Sequence, residues 1–163
     1  MPDWVAHLLL GGCIARFSNV RRGYTLLLLG AVLPDFSKLS LVFRFFFDGE
    51  TLLTVMNLFC VIHTFFGVVL LSLLIAPLFA APKRFSLTML LVGGFSHLLL
   101  DSLLNPFGGD YWFLWPLAKP YLRTGFFWAD SPLPALIIGF FAFFVCLGPG
   151  LWRRVTGWGK GRF

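Results

Sequence analysis

All three histidines of the chain lie inside apolar runs long enough to enter a bilayer, and two aspartates lie in equally apolar runs. His7 sits in WVAHLLLGG, Asp35 in LLLLGAVLPDF and His63 in NLFCVIHTFFGVVLLSLLIAP, while His97 and Asp101 share FSHLLLDSLL. A charged side chain at the bilayer centre costs about 2.5–3.5 kcal/mol on insertion scales, so such groups face a cavity or one another. Imidazole and carboxylate are also the ligand types that suit a divalent transition metal such as zinc. A buried metal site built from these five residues is therefore the first expectation.

Composition sets the solvent. Of the 163 residues, 58% are hydrophobic and 12% charged, against about 25% charged in soluble domains. Mean hydropathy is +0.86. These values predict an all-α integral membrane protein, a compact bundle of about five transmembrane or membrane-embedded helices, with residues 1–163 as a single membrane-embedded domain. Apolar segments run over residues 3–17, 23–47 (interrupted at Leu33-Pro34-Asp35), 51–80, 85–104 and 133–152. Each is continuous and lacks period-two alternation, and lipid admits helices where strands would have an open edge. Cys13, Cys60 and Cys146 are dispersed in apolar stretches without a CxxC pair, the pattern of buried thiols acting as small hydrophobes. Leu10-Gly11-Gly12-Cys13 loosely resembles a lipoprotein processing box, but Met-Pro-Asp precedes it without a basic run, and a retained helix is the expectation.

Charge gives the orientation. With the N-terminus outside, Arg16, Arg21, Arg22, Lys83, Arg84, Arg153, Arg154, Lys160 and Arg162 fall on the cytoplasmic side, and only Lys38, Arg44, Lys119 and Arg123 fall opposite. That asymmetry follows the positive-inside bias of a cell (inner or plasma) membrane and puts the C-terminus in the cytoplasm. The heights of the five polar residues then allow them to converge in the outer half, although helix order around the bundle is not set by the sequence. The net charge of +6 sits next to apolar segments, which suits topology and lipid headgroups rather than nucleic acid. The pattern leaves oligomerisation open.

Each motif also carries a plainer reading. His97 and Asp101 share a helix face at i, i+4, either as two ligands or as one buried hydrogen bond tying the bundle. Pro34 breaks its helix, and Asp35 either lines the resulting polar gap or pairs with Lys38. His7 and His63, taken singly, read as hydrogen-bonded core histidines; their joint occurrence with two acids favours coordination. Residues 105–131 form an interfacial loop holding Tyr111, Trp112, Trp115, Tyr121 and Trp128, where Lys119 and Arg123 either hold a lipid phosphate or snorkel. Asn105 and Ser96 are further polar candidates beside the His97–Asp101 face, and Gly93-Gly94 suits close helix approach.

The ordered set AHLLLGG, LLGAVLPDF, IHTFFG, GGFSHLLLDSLLNPFG and WPL resembles the membrane-bound metal-dependent hydrolase family, which includes LexA-regulated inner-membrane hydrolases and is distantly similar to zinc-dependent phospholipase C. The resemblance runs from His7 to Pro116. It implies that His7, Asp35, His63, His97 and Asp101 are metal ligands or their immediate neighbours, and Pro106, Gly108, Trp115 and Pro116 match the motif after the fourth segment. The chain departs from the family pattern in two places: no second histidine shortly precedes His63, and Phe36-Ser37-Lys38 follows Asp35 where an acid or histidine is common. Both departures speak against a fully occupied two-metal centre.

The resulting expectation is a hydrolase of lipid or lipid-linked phosphoesters using a divalent metal, most simply Zn2+. Asp35 or Asp101 would act as general base, with Lys119, Arg123, Asn105 and Trp115 on the substrate. A lipid amidase or esterase with the same ligands, and a metal-binding scaffold without turnover, are the competing expectations.

Overall fold

The computed structural model describes residues 4–18, 22–105, 114–117, 126–128, 131–142 and 144. These are helical nearly throughout. Helices α1 (Trp4–Phe17) and α2 (Tyr24–Val32) lead into a 3-10 segment, Leu33–Phe45. Then come α3 (Gly49–Ile62), α4 (Phe65–Ile75), a short 3-10 turn (Ala76–Leu78) and α5 (Lys83–Ser102). A last helix, α6, covers Leu133–Ala142. Among the described residues the one extended feature is a parallel two-residue pairing, Leu104 opposite Phe127 and Asn105 opposite Trp128.

Two elements are long and apolar enough to cross a membrane, Tyr24–Phe45 with 22 residues and Lys83–Ser102 with 20. A third exists if Gly49–Ile62 and Phe65–Leu78, which meet at 77°, count as one broken span. Among the described residues the expected bundle is thus present as helices, two or three of them long and apolar enough to cross. α1 has 14 residues, or about 21 Å of rise, where the hydrocarbon core needs about 30 Å. Bulky apolar side chains point outward along the chain, with Phe45 87% and Leu78 80% exposed, a surface suited to lipid rather than water. Of the cysteines, Cys13 is buried in α1, while Cys60 lies on an exposed face of α3, contrary to expectation; Cys146 lies outside the described residues. That face is exposed because α3 contributes no buried residue to the core.

The breaks have local causes. Pro34 opens the 3-10 segment, as a residue without an N–H and with a fixed φ must. Between α3 and α4, Thr64 is extended (φ −120°, ψ 163°) and its Oγ1 accepts the Gly67 N–H at 2.9 Å, an N-cap that starts a new helix. A Cβ at Gly67 would collide with the Val61 carbonyl oxygen, so the bend requires glycine there. The sequence reading carried one helix through this point, and the cap explains the difference.

The centre of the fold is the crossing of α2 with α5, which pack more extensively than any other helix pair. Gly30 lies against the Leu90 backbone, and Gly93 against the Leu27 carbonyl, with the Ala31 nitrogen 2.7 Å from where a Gly93 Cβ would stand. Backbone touches backbone, as small residues permit in membrane bundles. α1 lies across both helices and presents Ala6, His7 and Gly11 inward. Leu33, Ala76 and Leu90 close the adjoining apolar core.

Overpacking such a contact costs about 1–3 kcal/mol. Gly93→Ala is therefore expected to lower the thermal midpoint of the detergent-solubilised protein clearly. Gly12→Ala, whose Cβ would meet only the Tyr24 hydroxyl at 3.6 Å, should leave the midpoint unchanged or slightly raised. Helical circular dichroism on heating checks both.

Candidate metal centre

Five side chains from four elements meet beside the α2–α5 crossing. α5 is the frame, carrying His97 and, one turn on, Asp101. His7 comes from the buried stripe of α1, Asp35 from the 3-10 segment just after Pro34, and His63 from the end of α3 at the break. His7, Asp35, His97 and Asp101 are buried, each at most 5% exposed. The spacing inferred from sequence thus brings all five candidate ligands to one place.

His97 Nδ1 lies 2.7 Å from the Ala31 carbonyl oxygen. A carbonyl only accepts, so Nδ1 carries the proton and donates. The neutral ring then presents a bare lone pair at Nε2. That atom is 3.1 Å from His63 Nε2, 3.3 Å from Asp101 Oδ2 and 3.7 Å from Asp35 Oδ1. His63 Nε2 is 2.9 Å from the same Asp101 Oδ2. His7 Nε2 lies 3.3 Å from Asp101 Oδ1, and its ring stacks on His97 with centroids 3.7 Å apart.

The availability of the Ala31 carbonyl follows from Pro34. In a 3-10 pattern residue i+3 bonds the carbonyl of residue i, and for Ala31 that residue is proline, which has no N–H. The carbonyl is left for His97. This is a carbonyl-oriented imidazole, the arrangement that fixes the tautomer of metal-binding histidines.

The electrostatics call for a proton, which the His63 ring can supply, or for a metal ion. A lone pair at His97 Nε2 faced by carboxylate oxygens and another ring nitrogen is repulsive unless a proton or metal ion lies among them. The triangle of His63 Nε2, His97 Nε2 and Asp101 Oδ2 has sides of 2.9–3.3 Å. Donors about 2.0–2.1 Å from a tetrahedral ion lie roughly 3.3 Å apart, so this donor set fits a divalent metal. His7, Asp35 and His97 form a second, wider group whose donor atoms lie within 4.8 Å of one another. These buried His/Asp groups can hold a metal ion.

Other candidates fall elsewhere. The Ser96 hydroxyl donates to the Gly93 carbonyl of its own helix at 2.7 Å, so it serves α5 rather than the cluster. Trp115 lies half-buried in the turn of residues 114–117 and takes no part in the cluster's hydrogen bonds or ion pairs. Asn105 contributes backbone to the short pairing; its side chain, with Lys119 and Arg123, lies outside the described residues, as does most of the 105–131 loop. Sequence reasoning placed Lys38 only as an alternative partner of Asp35. Its Nζ in fact lies 2.6 Å from Asp35 Oδ2 while Asp35 Oδ1 faces His97, so both readings of Asp35 hold at once.

Comparison with family models, curated proteins and solved structures finds no match for this chain. The chemistry of the site therefore rests on its own geometry.

His97 belongs to both donor groups, so His97→Ala should weaken metal binding by well over the roughly 10- to 100-fold typical of losing an orienting partner. His7→Ala, which leaves the tight triangle intact, should cost far less. Competition against a fluorescent chelator measures both. Pro34→Ala returns an N–H to position 34 that competes for the Ala31 carbonyl; the expected result is metal affinity reduced by about tenfold with helicity retained.

Proposed function

We propose that this chain is a membrane-embedded, metal-dependent hydrolase acting on a lipid or lipid-linked phosphoester, of the membrane-bound metal-dependent hydrolase type that its motifs resemble. The observation that carries this reading is the bare His97 Nε2 held against His63 Nε2 and Asp101 Oδ2 in a nearly equilateral donor triangle. Three imidazoles with two carboxylates favour zinc among the divalent ions.

A divalent ion bound there supplies Lewis acidity to a phosphoryl oxygen and brings the pKa of a coordinated water to about 7. The residues of the chain do the rest. His97, locked by Ala31, and His63, presented by the break before Thr64, hold the triangle with Asp101. Asp35 stands farther out, 3.7 Å from His97 Nε2, at a position from which a carboxylate takes a proton as general base. His7 braces Asp101 from the opposite oxygen. On the sequence reading, Lys119 and Arg123 balance developing negative charge, and the distribution of cations puts the N-terminus outside, the C-terminus in the cytoplasm and the site towards the outer half of a cell membrane. A substrate already dissolved in the bilayer needs no deep aqueous cleft, which suits so small a protein.

The test is metal analysis of the purified protein together with a phospholipid screen that separates released headgroup from released fatty acid. The expected outcome is bound zinc, headgroup release, and a fall of about 10³-fold or more after chelation or in His97→Ala. Fatty acid release would make the protein an amidase or esterase on the same ligands. Metal without turnover on any lipid would make it a binding scaffold.

A further inference from the structure

The cluster carries a charge that its metal-binding residues do not account for. Asp35 and Asp101 bring two negative charges into a buried site, and neutral imidazoles bring none. One further group reaches them: Lys38, one turn after Asp35, whose Nζ lies 2.6 Å from Asp35 Oδ2. The other oxygen of the same carboxylate faces His97 Nε2 at 3.7 Å. The ammonium is therefore one carboxylate away from the donor triangle, and it is the cation that the described residues bring to this cluster.

The two donor groups cannot be filled independently. Both use His97, and with Nδ1 committed to Ala31 the ring offers only Nε2. One ion satisfies the tight triangle, and Asp35 is left to Lys38. An ion held by that triangle would leave the Lys38 ammonium one carboxylate away, so that an anionic oxygen reaching the cluster would meet both positive groups.

Access points the same way. The side chains of His7, Asp35, His97 and Asp101 are at most 8% exposed, whereas that of Lys38 is 22% exposed and that of His63 15%. A molecule entering from outside meets the cluster at Lys38 and His63. A carboxylic ester or amide is neutral and gains little from an ammonium there; a phosphodiester or phosphomonoester carries the charge that pairs with it by charge-assisted hydrogen bonds.

We propose that Lys38 binds the anionic phosphoryl oxygen of the substrate beside a single metal ion, and so selects phosphoesters over neutral carboxylic esters. The proposal rests on the phosphoester reading above. Asp35 holds the ammonium in place as an ion pair until the phosphoryl group shares its charge.

The experiment uses full-length, zinc-loaded protein in detergent, with Lys38→Met, Lys38→Arg and, as a charge control away from the cluster, Arg84→Gln. Zinc content is measured first, then binding of inorganic phosphate by calorimetry, then binding and turnover of a short-chain phospholipid and of a neutral carboxylic ester of equal chain length. The expected result is one zinc per chain in every variant. Phosphate or phospholipid affinity should be about 10- to 100-fold weaker in Lys38→Met, the size of one charged hydrogen bond. It should be largely restored in Lys38→Arg and unchanged in Arg84→Gln. Loss confined to the phospholipid identifies the lipid headgroup as the ligand, and equal loss on inorganic phosphate identifies a free phosphoryl group as sufficient.

Unchanged anion affinity in Lys38→Met overturns the proposal. Loss of zinc in Lys38→Met also overturns it, because Lys38 would then serve only to neutralise Asp35. So does wild-type protein that binds neither anion. Lysine-dependent anion binding without any lipid turnover leaves the Lys38 assignment standing and removes the hydrolase reading instead.

Discussion

The hydrogen bond from His97 to the Ala31 carbonyl joins positions 66 residues apart and links the packing of the bundle to the chemistry of its centre. It forms because α2 and α5 approach at backbone distance, which Gly30 and Gly93 allow and which no side chain could fill. Pro34, which has no N–H, cannot compete for the Ala31 carbonyl from the position a 3-10 turn would use. One proline and two glycines thereby set the tautomer of an imidazole. The proton on Nδ1 directs the lone pair on Nε2 towards two carboxylates and a second imidazole, and the remaining features of the site respond to that lone pair.

In water such a cluster would be unremarkable, since solvent would screen it. Among apolar helices, the cost of taking carboxylates out of water is several kcal/mol each before compensation. Lys38 offsets part of the negative charge on Asp35, and three histidine nitrogens surround Asp101. A divalent ion held by His63, His97 and Asp101 would complete the balance and tie the end of α3 to α5. Metal binding and folding are then one equilibrium, because an ion at a thousand times its dissociation constant adds about 4 kcal/mol to stability. Gly93 and His97 thus act on the same free energy from opposite ends of one helix segment.

The gathering of the five polar side chains and the helical class were legible from residue type and context: ionisable groups in apolar runs are costly enough that their joint presence has a cause. The i, i+4 spacing of His97 and Asp101 and the break at Pro34 were equally readable. The break within residues 51–80 was not, because length alone hides the Thr64 cap. A threonine following a histidine and preceding an apolar run is a recognisable start signal, yet hydropathy averages over it. Lys38 was read only as an alternative partner of Asp35 because three-residue spacing predicts contact on a helix but says nothing of what the other carboxylate oxygen faces. The Ala31 carbonyl has no signature in side chains at all. It became visible only in the distance from His97 Nδ1 to that oxygen.

The irregular elements and the polar cluster require each other. Backbone that departs from the α-helix at membrane depth leaves polar groups that lipid cannot satisfy, so it survives where protein or a polar cavity surrounds it. Two of the three departures, the 3-10 segment after Val32 and the bend after Ile62, occur where a candidate ligand is delivered; at the third, Ala76–Leu78, Lys83 Nζ donates to the Pro77 and Phe79 carbonyls instead. Asp35 is the second residue after the first break's last apolar side chain, and His63 is the residue at the second. A straight α3–α4 helix would continue its backbone bonds past His63, and would put that ring where its own helix axis dictates. The 77° bend frees the direction of His63 from that axis, so its Nε2 reaches an oxygen on α5. α5, an unbroken helix like α1, supplies two candidate ligands from consecutive turns and needs no irregularity to do so. Ligands reach this centre either by helical periodicity from a rigid helix or through a capped break in a partner, and the cluster in turn shelters the backbone exposed by those breaks.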